Sequence, residues 1–145
     1  MYLVDTDILS TGASGRRERS AALPEWMNTH SDSLFLSAIT IAEICSGIAR
    51  LRRTGATAKA ERLDDWLELV LHLYDARIIR FDIPAARQAG SLMDRERAAG
   101  RSPGFADIAI AATAADRNLT VLTRNIRHFR PLGVPAMNPL ETLPE

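Results

Sequence analysis

The sequence YLVDTDILS, residues 2–10, contains the pattern on which the fold prediction depends. Its first three residues are apolar, which is typical of a short buried strand. Two acids follow, Asp5 and Asp7, with one residue between them. A carboxylate at the end of a buried strand has three explanations: a metal ligand, a nucleophile that accepts a phosphoryl group, or a helix cap. Features elsewhere in the chain have to distinguish them.

Similar apolar runs recur along the chain, and helical patterns separate them. The predicted strands cover residues 2–5, 34–37, 77–81 and 119–123, with a short last one in 133–139. The predicted helices cover 18–30, 40–53, 57–75, 84–99 and 102–118, the last of which opens at Ser102 with Pro103 at its first position. Apolar strands that alternate with helices favour a parallel sheet covered on both faces. We therefore predict an α/β fold, one domain over residues 1–145 with four to five parallel strands and helices on both faces.

Composition narrows the class of protein. The chain has 145 residues, the size of one domain, and its 46% hydrophobic and 25% charged residues are ordinary for a soluble globular protein. No apolar run approaches the length of a membrane span, and the N-terminus lacks the pattern of a secretory signal. Cys45 is the only cysteine, which excludes an internal disulfide and a cysteine-based zinc site. We therefore expect a cytoplasmic protein without a membrane anchor. Its formal net charge of zero does not by itself indicate a nucleic-acid partner.

Acidic and amide side chains follow the predicted strands where sites form in parallel sheets, beyond the carboxyl ends. Asp5 closes the first strand, Glu43 lies early in the helix after the second, Asp107 lies near the start of an Ala-rich helix, and Asn125 follows the fourth strand. Three carboxylates that meet there would repel one another unless a cation intervened. Carboxylate and amide oxygens suit Mg²⁺ or Mn²⁺. The sequence therefore predicts a metal site at this edge of the sheet.

Each of these residues also has a purely structural explanation. Asp7 is a good candidate for a helix cap, whereas Asp5 lies too early in the sequence for that role. Residues 40–43, TIAE, fit a capping box, in which the glutamate serves only its own backbone. Asp107 could favour the positive end of its helix, and Asn125 could be an ordinary turn residue. Taken singly, the structural explanation is the better one for all but Asp5; taken together, their common placement favours a site.

Three further expectations concern neighbours of these residues. Cys45 falls on the apolar face of the predicted helix 40–53, so we expect it in the core. Gly47 lies inside the same helix, where glycine costs about 1 kcal/mol relative to alanine, and close packing is expected there. His128 is the only histidine near the proposed site, and the three histidines show no metal-ligand spacing.

An apolar strand that ends in D-x-D also resembles the start of a haloacid-dehalogenase-type phosphatase. In that chemistry Asp5 would be the nucleophile and Asp7 an acid or base. Those phosphatases use a lysine near the phosphoryl group, but the only lysine here, Lys59, begins an amphipathic helix between the second and third strands. They also place paired acids after a late strand, where this chain has TRNIRHF (123–129). We rank this interpretation below the metal site.

The chain resembles PIN-domain ribonucleases more fully, specifically VapC-type toxins of bacterial toxin–antitoxin pairs, close to the FitB-like branch. The resembling segments are YLVDTDILS (2–10), LSAITIAEICSGI (36–48), ADIAIAATAADRNLTVLTRNIRHF (106–129) and VPAMNPLE (134–141). Each motif is short, but together they span nearly the whole chain in the order that the family has. The resemblance implies a PIN fold and a metal-dependent endoribonuclease.

The resemblance also implies roles for individual residues. The matched positions are the Mg²⁺- or Mn²⁺-binding acids Asp5, Glu43 and Asp107, and the supporting hydroxyls Thr6 and Thr123. Asn125 completes the catalytic set where many members have a fourth acid. Asp7 stands where the family often has asparagine. These two departures leave open whether one or two metals bind.

The reaction that the resemblance implies is hydrolysis of an RNA phosphodiester by a metal-activated water, which leaves 5′-phosphate and 3′-hydroxyl ends. Arg124 and Arg127 flank Asn125 and are candidates for contacts with RNA phosphates, although surface solvation explains them equally well. The RNA target cannot be read from the sequence.

The expected partners are a second copy of the chain, in a homodimer, and a cognate VapB-type antitoxin whose C-terminal segment enters the active-site groove. The antitoxin would carry the DNA-binding part, so the chain would contact DNA only indirectly. The alternative function is a non-catalytic binding module, a PIN fold that has lost its activity. The intact acids speak against that alternative, and Asn125 leaves it open.

Overall fold

The computed structural model describes residues 1–11, 13 and 22–145. Within them lies one parallel sheet with the strand order β3-β2-β1-β4-β5. Its strands are β1 (Tyr2–Val4), β2 (Leu34–Ser37), β3 (Ile78–Ile79), β4 (Thr120–Leu122) and β5 (Ala136–Met137). The predicted parallel α/β sheet is confirmed, with five strands. Because β1 lies between β2 and β4, the carboxyl ends of these three strands are neighbours at one edge.

The described α-helices follow the predicted order. They are α1 (Thr6–Leu9), α2 (Ala22–Thr29), α3 (Ala38–Arg53), α4 (Thr57–Tyr74), α5 (Ile83–Ala98), α6 (Phe105–Arg117) and α7 (Ile126–Phe129). Short 3-10 helices cover Ser31–Ser33, Asp75–Arg77 and Arg130–Leu132. Part of the helix predicted over 18–30, residues 18–21, lies outside the described residues. In the part of the chain that the structure describes, no helix is long and apolar enough to cross a membrane.

Both faces of the sheet are covered, as the uninterrupted apolar strands predict. Leu3 and Val121 belong to one buried cluster, which packs against α5, α6 and α7. Val4 and Leu122 belong to a second cluster on the opposite face, which packs against α1, α2, α3 and α4. Successive side chains of a strand point to opposite faces, so two adjacent apolar residues are needed to fill two cores. Helices therefore cover both faces of the sheet, and the polar side chains lie at the edge formed by the carboxyl ends of its strands.

The start of α6 differs from the prediction. The helix begins at Phe105 with Gly104 as its N-cap, so the prediction that Ser102 and Pro103 open it is wrong. The reason lies in Arg101, the residue before Ser102. Its guanidinium donates hydrogen bonds to both carboxylate oxygens of Glu96, a buried residue near the end of α5. The backbone N–H of Arg101 also donates to that residue's carbonyl. The segment is thereby held to α5, and Asp107 falls in the first turn of α6.

Two predictions about α3 are wrong. Its buried residues are Thr40, Ile44 and Ile48, a stripe with a spacing of four. Cys45 lies outside this narrow stripe and is exposed, not in the core. A Cβ at Gly47 would meet no atom of the described chain within 4 Å, so nothing packs closely there. Gly47 instead lines an open groove between α3 and α4.

Candidate active site

Asp5 sits between the ends of β1 and β4, where the sheet places it. Its Oδ2 accepts a hydrogen bond from Thr123 Oγ1 at 2.8 Å, and its Oδ1 accepts one from the backbone N–H of Thr6 at 2.8 Å. The residue is only 6% exposed. Asp5 is also the N-cap of α1, so the expectation that it lies too early to cap a helix is wrong. A cap role and a site role are compatible, because each carboxylate oxygen accepts one of these hydrogen bonds and can accept or ligate a second group.

The environment of Asp5 disfavours its charged form. The pKa of this carboxyl is raised to about 6, chiefly because burial removes it from water. The negative charges of Asp7 and Glu43 raise the pKa further, while the hydrogen bonds from Thr123 and Thr6 lower it. A bound cation would act in the opposite direction to the burial and the neighbouring acids.

Asp7 is joined to the turn that follows β4. Its Oδ2 accepts hydrogen bonds from the backbone N–H of Arg124 at 3.0 Å and from Asn125 Nδ2 at 3.2 Å. Its Oδ1 is buried and has no hydrogen-bond partner among the described residues. Burial is the main reason why the pKa of Asp7 is raised, and the charge of Asp107 adds to the effect. Asp7 therefore joins α1 to the turn after β4, and Asp5 rather than Asp7 caps α1.

Glu43 reaches the same place from α3. Thr6 Oγ1 donates a hydrogen bond to Glu43 Oε1 at 2.6 Å. The capping-box explanation is wrong, because α3 begins earlier: Ser37 is the N-cap, and its hydroxyl accepts from the backbone N–H of Ile39 at 3.1 Å. Thr40 is a buried residue of the first turn, and its hydroxyl lacks a hydrogen-bond partner within the described ranges. Glu43 therefore does not cap α3, and its carboxylate contacts Thr6 next to Asp5 instead.

Asp107 is paired with a residue to which the sequence pattern gave no role. His128 Nδ1 lies 3.1 Å from Asp107 Oδ2. The expectation that His128 is near the site is confirmed. The signal for the contact is weak in sequence, because it depends on α7 starting directly after Asn125 and turning its third residue towards α6.

The residues after β4 complete the arrangement. The backbone N–H of Asn125 donates to Thr123 Oγ1 at 3.0 Å, so Thr123 joins Asn125 to Asp5. The predicted supporting hydroxyls of Thr6 and Thr123 are therefore both hydrogen-bonded to acids of the site. Arg124 and Arg127, the candidates for phosphate contacts, are both exposed. The positive charge of Arg124 lowers the pKa of Asp7.

The side chains near Asp5 are of the kind that bind a hard divalent cation, but their carboxylates do not converge on one point. Across residues 1–11, 13 and 22–145, no three Asp, Glu, His or Cys side chains are close enough as they stand to hold a metal ion. The outer acids Glu43, Asp7 and Asp107 are instead hydrogen-bonded to Thr6, Asn125 and His128. Their charges are nevertheless near enough to raise the pKa values of Asp5 and Asp7. Carboxylate oxygens under mutual repulsion are suitable ligands for Mg²⁺ or Mn²⁺.

A groove of about 940 Å³ between α3 and α4 opens beside these acids. Thr6 and Glu43 line it together with residues of both helices. Much of the remaining lining consists of apolar side chains and cations; they are Ile44, Ile48, Leu51, Leu63 and Trp66, and Arg50, Lys59 and Arg62. The groove can therefore accept a chain segment that carries both apolar and negatively charged groups.

Comparison with known proteins gives a consistent result. The family model described as PIN domain matches residues 2–133. VapC ribonuclease Y4jK of Sinorhizobium fredii is 32% identical over 146 residues, which cover 97% of this chain and 99% of that protein. Toxin FitB of Neisseria gonorrhoeae is 32% identical over 141 residues, with 96% and 98% covered. A solved structure of FitAB bound to an IR36 DNA fragment has a TM-score of 0.80 at 30% identity, and the match covers 97% of this chain and 96% of that one.

Proposed function

The chain belongs to the PIN-domain family, and from this premise we propose that it is a metal-dependent endoribonuclease, the toxin of a bacterial toxin–antitoxin pair. The observation that carries the proposal is the buried carboxylate of Asp5, hydrogen-bonded at the sheet edge with three further acids around it. The ribonuclease and toxin names of the relatives support the same activity. We further propose that the domain extends over residues 1–145, since β5 lies beyond the matched region and pairs with β4.

Asp5, Glu43 and Asp107 would hold Mg²⁺ or Mn²⁺ in this proposal. When bound, such an ion would lower the pKa of a water and stabilise negative charge on the scissile phosphate. The protein's own contribution is positioning. Thr123 and Thr6 orient the carboxylates by direct hydrogen bonds, in the way that outer groups fix metal ligands.

Substrate binding falls to the exposed rim of the site. Arg124 and Arg127 would contact RNA phosphates on either side of Asn125, because guanidinium groups bind phosphate with two parallel hydrogen bonds. Selection of RNA over DNA would depend on unstacked bases and on the 2′-hydroxyl. The reaction would take place where cellular RNA is, so we propose a cytoplasmic location.

The proposed partners are a VapB-type antitoxin and a second copy of this chain in a homodimer. The groove between α3 and α4 supports an antitoxin whose C-terminal segment inserts beside Glu43, because it joins an apolar lining to the acidic site. The complex of FitAB with a DNA fragment supports an assembly that contacts DNA. We propose that the antitoxin makes the DNA contacts in the corresponding assembly of this chain.

The test is cleavage of a mixed pool of structured RNA by the purified, antitoxin-free protein. The incubations contain Mg²⁺, Mn²⁺ or EDTA, and Asp5→Asn and Asp107→Asn are run beside the wild type. Asp94→Asn is the matched control, since Asp94 is an exposed residue of α5. We expect cleavage by the wild type and Asp94→Asn that needs the metal, and none by the two site variants.

Two other functions predict different results in the same test. A non-catalytic PIN module, which Asn125 and the unconverged acids favour, would bind a partner without cleaving RNA in any metal. A phosphatase with Asp5 as nucleophile would release phosphate from monoesters and leave the RNA pool intact. The match to the PIN family over residues 2–133 speaks against this second alternative.

A further inference from the structure

The groove between α3 and α4 is lined by one face of each helix. On α3 the lining includes Glu43, Gly47 and Arg50, whose spacing of four and three residues places them on the same face. Glu43 also accepts a hydrogen bond from Thr6, so the groove meets the candidate active site at this contact. Arg50 lies two turns further on, about 10 Å along the helix axis. A chain that follows α3 away from the acids therefore meets a cation.

The cations of the groove are not neutralised by the part of the chain that the structure describes. Arg50, Lys59 and Arg62 are exposed, and none of them forms an ion pair with a described residue. Glu43 is the only acid among the described residues that line the groove. Three cations against one carboxylate leave this lining positively charged, although the whole chain has no net charge. The groove therefore attracts a polyanion.

Gly47 leaves space in the groove that the fold itself does not need. Glycine disfavours a helix relative to alanine. A Cβ at Gly47 would meet no atom of the described chain within 4 Å outside its own turn of helix, so close packing within the chain does not explain the glycine. The missing side chain instead exposes the backbone of α3 to whatever occupies the groove. Glycine is typical of positions where a ligand approaches the backbone closely.

Trp66 adds an aromatic surface from α4. Its side chain is half-buried and lines the groove one turn after Arg62 and two turns after Lys59. No other aromatic ring among the described residues stacks on it. Proteins bind single-stranded nucleic acid by combining cations that follow the backbone with aromatic rings on which bases stack. The lining therefore fits an unpaired RNA strand, whose bases have apolar faces and whose phosphates are negative.

We propose that the groove between α3 and α4 is a subsite for single-stranded RNA, in which Trp66 stacks on a base. Arg50, Lys59 and Arg62 contact phosphates of the same strand. This inference rests on the proposed function, because the strand is the substrate whose cleaved phosphate lies at the acids. It also specifies how the proposed antitoxin inhibits: a segment inserted in this groove excludes the RNA, so the two compete.

The test is binding of a fluorescein-labelled, single-stranded RNA of mixed sequence, measured by anisotropy in EDTA at several salt concentrations. Gly47→Ala is the principal variant. Gly90→Ala is its matched control, because Gly90 lies in α5 and a Cβ there also meets nothing within 4 Å in the described chain. We expect both variants to melt at or above the wild-type temperature, since alanine favours a helix. Only Gly47→Ala should bind the RNA more weakly, by about 5-fold or more, because the added methyl group occupies space that the strand needs.

Further variants test the individual contacts. Trp66→Leu should bind about 10-fold more weakly, and RNA should no longer quench the indole fluorescence, because the remaining Trp26 is buried. Arg50→Gln and Arg62→Gln should each flatten the dependence of log Kd on log salt concentration by roughly 0.7, the value for one phosphate contact with a single strand. Arg53→Gln, an exposed change on α3 outside the groove lining, should keep the wild-type slope. If Trp66→Leu does not fold, Gly47→Ala and the arginine variants decide the result.

Cleavage of the RNA pool by the wild type in Mn²⁺ separates failure of this inference from failure of the proposed function. Wild-type affinity in Gly47→Ala and in the arginine variants, from a protein that cleaves RNA, would overturn the inference alone and leave the groove to the antitoxin. A wild type that cleaves RNA but does not bind the probe in EDTA would do the same. A wild type that neither binds nor cleaves would overturn both. Binding that the groove variants weaken, without cleavage by the wild type, would support the subsite and overturn the ribonuclease activity.

Discussion

Asp5 determines how the stability of the metal-free protein responds to pH. Its pKa is raised from 3.8 to about 6, so the folded state holds the proton more tightly than the unfolded state does. The stability from this group is fully present below pH 3.8 and is lost as the pH rises through about 6. Asp7 and Glu43 face the same carboxylate, and their negative charges add to the rise in its pKa. A metal-free protein near neutral pH therefore carries a buried, destabilised charge.

We expect Asp5→Asn to be more stable than the wild type at pH 8 in EDTA, by roughly 1–3 kcal/mol, because it removes this charge. At pH 4 the two proteins should differ much less, since Asp5 is then mostly protonated. Urea unfolding at both pH values measures the difference. A variant that is less stable than the wild type at pH 8 would show that Asp5 acts mainly as a helix cap. It would contradict the claim that the charge of Asp5 destabilises the metal-free protein.

Thr123 has a role that can be separated from packing. Its hydroxyl donates to Asp5 and accepts from the backbone N–H of Asn125. Thr123→Val keeps the shape and removes both contacts, so we expect RNA cleavage to slow by about 10- to 100-fold. Thr113→Val is the matched control, because Thr113 is equally buried and its hydroxyl bonds only the carbonyl of Ala109 in its own helix. Equal losses in both variants would assign the effect to packing.

The bounds of the strands and helices show which parts of the fold are determined by the local sequence. Strand Leu34–Ser37 matches its predicted bounds, because an uninterrupted apolar run needs no distant information to be recognised. Helix α1 is different: four residues are too few for a periodic pattern, so the capping role of Asp5 could not be read from the sequence. The start of α6 differs from its prediction for another reason: the segment before it is held by an ion pair between Glu96 and Arg101, which a local sequence pattern does not predict.

The candidate site likewise has features that the local sequence predicts and features that it does not. The sequence alone predicts that Asp5, Glu43, Asp107 and Asn125 lie at the carboxyl edge of a parallel sheet. The supporting positions of Thr6 and Thr123 are implied only by the resemblance to PIN-domain ribonucleases. The hydrogen-bond partners of these side chains are not predictable. The contact of His128 with Asp107 joins α7 to α6, and the contact of Asn125 with Asp7 joins the turn after β4 to α1. Both depend on how separate elements pack, which a single sequence does not specify.

The ion pair that ends α5 should influence both stability and activity. Glu96 is almost completely buried, Arg101 binds both its oxygens, and Arg95 lies 3.7 Å away. The pKa of Glu96 is lowered, first by the hydrogen bond from Arg101, so its contribution to stability is lost as the pH falls through the lowered value. We expect Arg101→Ala to lower the melting temperature and to slow RNA cleavage, because it leaves the buried charge of Glu96 with only the more distant Arg95 as a partner and frees the segment before Asp107.

The control for this prediction is Arg52→Ala, which breaks an exposed ion pair with Asp64. Exposed pairs contribute little, so its melting temperature should stay close to that of the wild type. Thermal unfolding and the rate of RNA cleavage are measured on both variants. Similar values for Arg101→Ala and Arg52→Ala would mean that the buried pair neither supports the fold nor positions α6.

At the scale of the whole molecule, we expect the proposed antitoxin to inhibit RNA cleavage by binding in the groove between α3 and α4. It connects the acids to a rim with Arg50, Lys59 and Arg62, although the chain has no net charge. We expect Arg62→Glu to raise the antitoxin concentration needed for half-inhibition of RNA cleavage by about 10-fold or more, because a negative charge would then face the acids of the inserted segment. Arg53→Glu, an exposed change on α3 outside the groove lining, should have little effect. Equal shifts would place the antitoxin elsewhere or make its binding depend only on overall charge.

The chemistry of the RNA ends tests the central claim most directly, because it reports which oxygen attacked the phosphate. The measurement is the identity of the 5′ ends of the fragments that the wild type and Asp5→Asn produce in Mn²⁺. The account predicts 5′-phosphate ends from the wild type and no fragments from Asp5→Asn, since a water positioned by the acidic site is the attacking group. Fragments with 5′-hydroxyl ends, or the same fragments from Asp5→Asn, would contradict it, because attack by the RNA's own 2′-hydroxyl needs no such site.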